Sequence, residues 1–132
     1  MTNQPVTIFD HLGEENLHKL VDQFYDRVSA DDELTELFPD DLTETRRKQK
    51  QFLTQFFGGQ PLYTEEHGHP MLRARHMPFK ITETKAQAWL ACMAAALVDT
   101  GIEKNVREAM FDRLSHTAKH MINSTDDETI RR

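Results

Sequence analysis

Hydrophobic residues recur along this chain with the 3.6-residue period of a helix, and no stretch alternates with the two-residue period of a strand. The clearest stripe holds Leu17, Leu20, Val21, Phe24 and Val28. A short turn from Ile8 to Leu12 precedes it, with Gly13 as the break. A second helix is predicted from Thr43 to Phe57, with Phe52, Leu53 and Phe56 on its apolar face. Asp41, with Glu44 three positions on, reads as a capping box at its start. Gly58 and Gly59 stop it, because glycine accepts the left-handed conformation a helix end needs. Followed backwards, the same stripe runs through the polar residues Gln49 and Thr45.

Gln60 to Gly68 reads as loop. Pro70 can open a short helix and Pro78 ends it, leaving Leu72 to His76 as a brief helical stretch with His76 in its last turn. Met77, ahead of a proline, is biased towards extended backbone. A long helix is predicted from Glu83 to Thr100, closed by Gly101, with Ala86, Trp89, Leu90, Met93 and Leu97 on one face. Another runs from Val106 to Asn123 and is expected to bury Val106, Met110, Leu114, Thr117 and Met121. Ser124 to Arg132 is polar, and a mobile tail is expected over residues 125–132. Four or five helices with short loops point to an all-α bundle or a globin-like pack.

Composition narrows the function. A chain of 132 residues is one domain's length, with its core expected over residues 8–124. Sixteen basic against 22 acidic side chains leave a net charge of −6 without a basic stripe, which argues against nucleic acid. The single cysteine, Cys92, excludes an internal disulfide and reads as inert packing. The longest apolar run, Trp89 to Val98, is half of the ~20 residues a bilayer span needs. Met1 to Pro5 carries neither the charge nor the apolar stretch of a signal peptide. A soluble, cytoplasmic domain is the expectation. Its 38% apolar content lies below the globular average of about 45–50%. That fits a core completed by something other than side chains, and also fits small size alone.

Seven histidines invite sorting. His116 and His120 stand four apart on one helix, as a zinc pair would, but no glutamate lies at the required position and no third ligand is evident. A solvated helix face is the plainer reading. His67 and His69 read as turn residues, and His11 and His18 sit on polar faces. His76 differs: it ends a short helix behind Arg73 and Arg75, beside the apolar Leu72. A neutral imidazole there is either an ordinary hydrogen-bonded residue or an axial ligand for haem iron. Polar residues embedded in apolar stripes bear on the choice. Tyr25 falls four after Val21, Thr45 and Gln49 continue the Phe52 line, and Trp89 opens an apolar face. Each costs about 1–3 kcal/mol if buried without a partner. Separately, each can pair with backbone or sit at the domain edge. Converging, they would form a polar pocket in an apolar slot, as a diatomic ligand requires.

Several stretches carry a resemblance. They are Leu37-Phe38-Pro39, the run from Arg47 to Gln55 (RKQKQFLTQ), the run from Tyr63 to His76 (YTEEHGHPMLRARH), and Ala88-Trp89-Leu90. Over nearly the whole chain, from about Ile8 to Ser124, it resembles the truncated haemoglobins, specifically their bacterial group II branch. The resemblance implies a two-over-two helical sandwich enclosing haem b. It implies His76 as the proximal iron ligand and Tyr25 as the distal tyrosine, with Phe38 on the haem edge. Thr45 and Gln49 would face the distal pocket, and Trp89 would complete its hydrogen-bond cage. Phe52, Leu53, Leu72 and Met93 would line the haem faces; Lys48, Tyr63 and Arg75 are the candidates for the propionates. Two departures stand out. Gln60 separates the Gly-Gly pair from Pro61, where the branch has proline directly. Phe38 replaces a tyrosine found in several relatives, leaving Tyr25 as the one phenol expected near the ligand.

The implied function is tight, reversible binding of dioxygen, with CO and NO as further ligands. That suits scavenging, sensing or redox detoxification better than transport. A reductase partner and a monomeric or homodimeric state would accompany it. A haem enzyme of peroxidase or nitric oxide dioxygenase type is one alternative. A haem-free helical interaction module is another, in which Tyr25, Gln49 and Trp89 are ordinary core-edge residues.

Overall fold

Thr7 starts the first helix, α1 (Ile8–Leu12). Its Oγ1 accepts the Asp10 N–H at 3.0 Å while Asp10 Oδ2 accepts the Thr7 N–H at 3.0 Å, a closed capping box. The computed structural model describes residues 6–126, and no strand occurs among them. Met1–Pro5 and the tail past Asp126 lie outside the described residues, as do the expectations placed on them. Gly13, at φ 81°, turns the chain into α2 (Glu14–Val28). A 3-10 turn at Thr35–Leu37 leads to α3 (Thr43–Phe56). Then come α4 (Leu62–His67), α5 (Leu72–His76), α6 (Glu83–Asp99) and α7 (Lys104–Met121).

The architecture is two helical pairs. α2 packs on α3, α6 packs on α7, and the pairs meet through α2 and α6. This is the all-α, globin-like arrangement expected from the sequence. The α2 stripe is fully inside: Leu17, Leu20, Val21 and Phe24 are 0% exposed. It meets Met93, Ala96 and Leu97 of α6 and Met110 and Leu114 of α7 in one core. Each fully buried aliphatic or aromatic side chain adds about 1.5–3 kcal/mol, so these stripes fix how the pairs stack. Cys92 is buried beside them. Desolvation raises its thiol pKa, and the nearby Asp31 carboxylate adds to the rise.

Local details depart from expectation. The Asp41–Glu44 capping box does not form. Asp41 Oδ1 accepts the Thr43 N–H at 3.0 Å, but Glu44 binds Arg47 Nε at 2.9 Å instead. An arginine three residues on offers a charge-assisted partner that outcompetes a backbone amide. Pro70 does not open α5 directly, since Met71 intervenes in the left-handed region at φ 45°. Met77 is right-handed helical rather than extended. Gly58 does more than stop α3. At φ 100° it lies against α1's cap, where an added Cβ would stand 2.6 Å from Thr7 Cβ. α1 therefore closes directly onto the end of α3, with the Phe9 N–H donating to Phe57 O at 2.8 Å.

The predicted loop from Gln60 to Gly68 is a correction of more consequence, because it contains α4. Six residues make too little helix to persist alone. Side chains of α3 hold this one. Gln55 accepts the Thr64 N–H at 3.0 Å and donates to Thr64 Oγ1 at 2.7 Å. Arg47 grips Glu66 through two bonds of 2.9 and 2.7 Å, and Gln51 adds a third at 2.8 Å. Hydrogen bonds from Arg47 and Gln51 hold the Glu66 carboxyl down at about 2. A carboxylate lowered on folding adds stability above its unfolded pKa near 4.3, and that stability disappears as pH falls towards the folded value. The melting temperature is therefore expected to drop between about pH 4.3 and pH 2. Glu66→Gln, with no proton to gain, should give a shallower acid limb. Superimposable acid limbs would remove Glu66 from this role. The exposed position keeps the effect modest.

Candidate functional site

One cavity of about 420 Å³ opens between the helical pairs. It falls in the ~300–1,000 Å³ range of small-molecule sites. Tyr25 enters it from α2, as the last turn of that helix carries the buried stripe past Val21. It is 3% exposed. Burial pushes its phenol pKa far above the ordinary value, and the Arg46 guanidinium opposes this only in part. The hydroxyl therefore stays protonated and available as a donor. Arg46 lies 5.9 Å from the ring centroid and is itself tied to Asp22 and Asp26.

Phe24 ties two donors to one wall. Its ring makes edge contacts with Tyr25 at 4.8 Å and with Trp89 of α6 at 5.0 Å. Tyr25 in turn meets Phe38 edge-on at 5.8 Å. Such pairs favour one relative orientation, so packing sets where the phenol and the indole stand. Both side chains line the cavity, and neither polar group has a protein partner among the described residues. Among the described residues, no side-chain N or O sealed from the cavity and from solvent lacks a hydrogen bond. The two donors accordingly face the open space. Thr45 and Gln49, one turn apart on α3, are half-buried on the same lining.

His76 reaches the cavity from the end of α5. Its Nδ1 lies 2.7 Å from Leu72 O, four residues back. A carbonyl can only accept, so Nδ1 carries the proton. With Nδ1 as the donor, Nε2 is the ring atom a metal would take. Backbone carbonyls hold metal-binding imidazoles in this way. Among the described residues, no cluster of three or more His, Cys, Asp or Glu side chains could hold a bare metal ion. The donor chemistry is a single imidazole in a largely apolar slot.

Phe52 of α3 and Leu72 supply apolar wall, with Phe52 stacked on Phe56 at 5.4 Å. Tyr63 is brought in by α4 and meets Phe52 edge-on at 5.9 Å. Arg75 sits over the Tyr63 ring at 5.6 Å and donates to the carbonyls of His67 and His69. Lys48 is exposed on the lining and forms no ion pair among the described residues. Gln60 leaves this arrangement intact, since a tight turn from Leu62 N–H to Gln60 O at 2.8 Å takes up the extra residue before α4.

Two residues expected on the haem faces do not line this cavity. Leu53 and Met93, each 0% exposed, belong to the core cluster and do not line the cavity. Their stripes are wider than the cavity, so these positions point between helices instead. Conversely, the sequence reading missed Leu34, Phe79, Ile81, Lys85 and Ala118 as lining. It assigned Leu114, Thr117 and Met121 to the core face; all three line the cavity, and Leu114 belongs to the core cluster as well. An apolar stripe facing a neighbouring helix and one facing a cavity carry the same periodicity, so no sequence signal separates them.

Comparisons with known proteins agree with this geometry. The bacterial-like globin family profile matches residues 7–123. The chain is 59% identical to group 2 truncated hemoglobin YjbI of Bacillus subtilis over 120 residues, 91% of each chain. It superposes on the group II truncated hemoglobin of Bacillus anthracis with a TM-score of 0.92 at 57% identity, covering 96% of this chain and 98% of that one. The truncated oxygen-avid haemoglobin of Bacillus subtilis matches with a TM-score of 0.87 at 59% identity, covering 89% and 99%. With family profile, sequence and backbone in accord, this chain belongs to the bacterial-like globins, in the group II truncated haemoglobin branch, and is a haem-binding globin.

Proposed function

We propose that the protein holds haem b through His76 and binds dioxygen tightly against Tyr25 and Trp89, for scavenging, sensing or redox detoxification rather than transport. The observation that carries this reading is a pair of donors with no partner among the described residues, the Tyr25 hydroxyl and the Trp89 N–H, in the same cavity as His76, whose Nδ1 faces Leu72 O. The residues present suit the group: apolar walls from Phe52 and Leu72 for the macrocycle, one imidazole for the iron, and Lys48, Tyr63 and Arg75 for the propionates. When bound, haem supplies an iron with one coordination position for a diatomic molecule. The chain supplies the rest. His76 fixes the metal's position. Tyr25 and Trp89 donate to the ligand and slow its escape, with Gln49 and Thr45 beside them. CO and NO fit the same space. The Bacillus subtilis relative described as oxygen-avid supports the same direction.

Hemin added to the apoprotein tests the reading. A strong visible band should appear, and the melting temperature should rise. A ligand that binds only the folded state adds about 2.7 kcal/mol at a hundredfold excess over its Kd. For a domain of this size that is roughly 10 °C. A preparation that stays colourless, with an unchanged melting temperature, would overturn the assignment.

A further inference from the structure

Helix α5 is not held in place by its own sequence. Five residues are far below the length at which a helix persists in water. Met71, just before it, occupies the left-handed region at φ 45°, which residues with a Cβ avoid. Met77, just after it, is helical although Pro78 biases it towards extended backbone. The position of His76 must therefore come from contacts with the rest of the molecule.

Those contacts converge on one side chain beyond the end of α7. Asn123 Nδ2 donates to His76 O at 3.2 Å and to Phe79 O at 2.9 Å. Its Oδ1 accepts the Ile81 N–H at 2.9 Å and the Ser124 hydroxyl at 2.9 Å. Its backbone N–H donates to Ile81 O at 2.9 Å. A carboxamide has two N–H donors and two acceptor lone pairs, so every one is used. The orientation of the amide is fixed as well. Reversed, its oxygen would face two carbonyls and its nitrogen would face an N–H. The side chain thus spans the whole turn from the last residue of α5 to the residue ahead of the α6 cap at Thr82.

We propose that Asn123 is the positioning residue for the proximal histidine: its carboxamide sets where the His76 backbone, and with it the imidazole, stands on the cavity wall. This role rests on the reading of His76 as the iron ligand. Arg73 assists by donating to the carbonyls of His120 and Ile122, which ties α5 to the same end of α7. Neither Asn123 nor Arg73 touches the cavity. They act through the main chain of the ligand, one step further out than the Leu72 carbonyl that holds the ring.

The test uses the hemin-loaded full chain and five variants, the last of them His76→Gly. Asn123→Ala removes all the side-chain bonds. Asn123→Asp keeps the shape and the acceptor for Ile81 but puts a carboxylate oxygen against two carbonyls. Ser124→Ala removes only one outer bond. Leu17→Ala, in the core and off the cavity, destabilises the fold generally. Resonance Raman of the ferrous, unligated protein reads the iron–histidine stretch, and transfer of hemin to an acceptor apoglobin reads its retention. Both Asn123 variants should shift the stretch and raise hemin loss at least about tenfold, the lower end of what outer-shell partners of metal ligands contribute. Ser124→Ala and Leu17→Ala should leave the stretch in place, even though Leu17→Ala lowers the melting temperature. If Asn123→Ala fails to fold, Asn123→Asp carries the comparison. An unchanged stretch and unchanged hemin loss in the folded Asn123 variants would reduce Asn123 to a loop pin and overturn the proposal. A stretch that survives His76→Gly would instead remove His76 as the ligand, a failure of the earlier reading that this comparison keeps separate.

Discussion

Replacing His76 with glycine is expected to strip the protein of stable haem while leaving the apoprotein folded. The ring is half-buried at the end of a five-residue helix, and its one hydrogen bond among the described residues runs to Leu72 O at 2.7 Å. Little of the apolar core depends on it, because no residue of α5 belongs to the buried cluster. The apo melting temperature should therefore move little. Hemin affinity should fall by more than the ~10–100-fold that losing an outer-shell partner costs, since here the metal-binding atom itself is gone. Added imidazole should restore the absorption band, because it can enter the space the side chain leaves. Hemin titrations of both proteins, with and without imidazole, check this. Equal affinity and an identical spectrum in the glycine variant would place the iron on another residue.

Tyr25→Phe and Trp89→Phe should each accelerate oxygen release. A donor to a ligand that gathers negative charge contributes about 1.5–3 kcal/mol. At 1.4 kcal/mol per tenfold, each loss should speed dissociation by roughly 10- to 150-fold. Both substitutions keep a ring against Phe24, so packing is largely preserved while the donor is deleted. The double variant reports whether the two act on one ligand. If they do, its effect departs from the product of the single effects, as for any two residues sharing a partner. The pH dependence follows from the burial of Tyr25, which raises its phenol pKa despite Arg46. Oxygen release from the unsubstituted protein should stay flat as pH passes about 10, where an exposed phenol would ionise and stop donating. Stopped-flow measurement of dissociation across that range checks both statements. Unchanged rates in both single variants would dissolve the distal pair as an explanation of oxygen retention.

Helix α2 was legible because its buried face is a pure period: every residue at a core position is apolar until Tyr25. α4 was not. Nothing in Leu62–His67 resembles an amphipathic helix, and its stability comes from Gln55, Arg47 and Gln51 reaching across from α3. A pairing over that many residues leaves no local signature. The same reason applies to the failed Asp41–Glu44 box. Local spacing permits it, but Arg47 and Glu66 draw the carboxylate into a network built from two helices. Leu53 and Met93 show the limit from the other side. Their periodicity places them inwards, and inwards is where they are, yet facing core rather than cavity. Asn123 carried no signal at all, since a single polar residue after a helix reads as an ordinary terminus.

The order of side chains along the chain settles which faces are apolar, hence four long helices and the way α2, α3, α6 and α7 must bury them against one another. It also supplies the motif from Tyr63 to His76, which points to a globin. Folding in space settles the rest: that Tyr25 and Trp89 flank one phenylalanine, that His76 shares their cavity, and that a residue 47 positions along the chain holds its backbone. The division has a simple cause. Burial of apolar surface is non-directional and is written in composition and period. Hydrogen bonds and ring contacts demand distances and angles between distant residues, and these exist only once the helices have been packed.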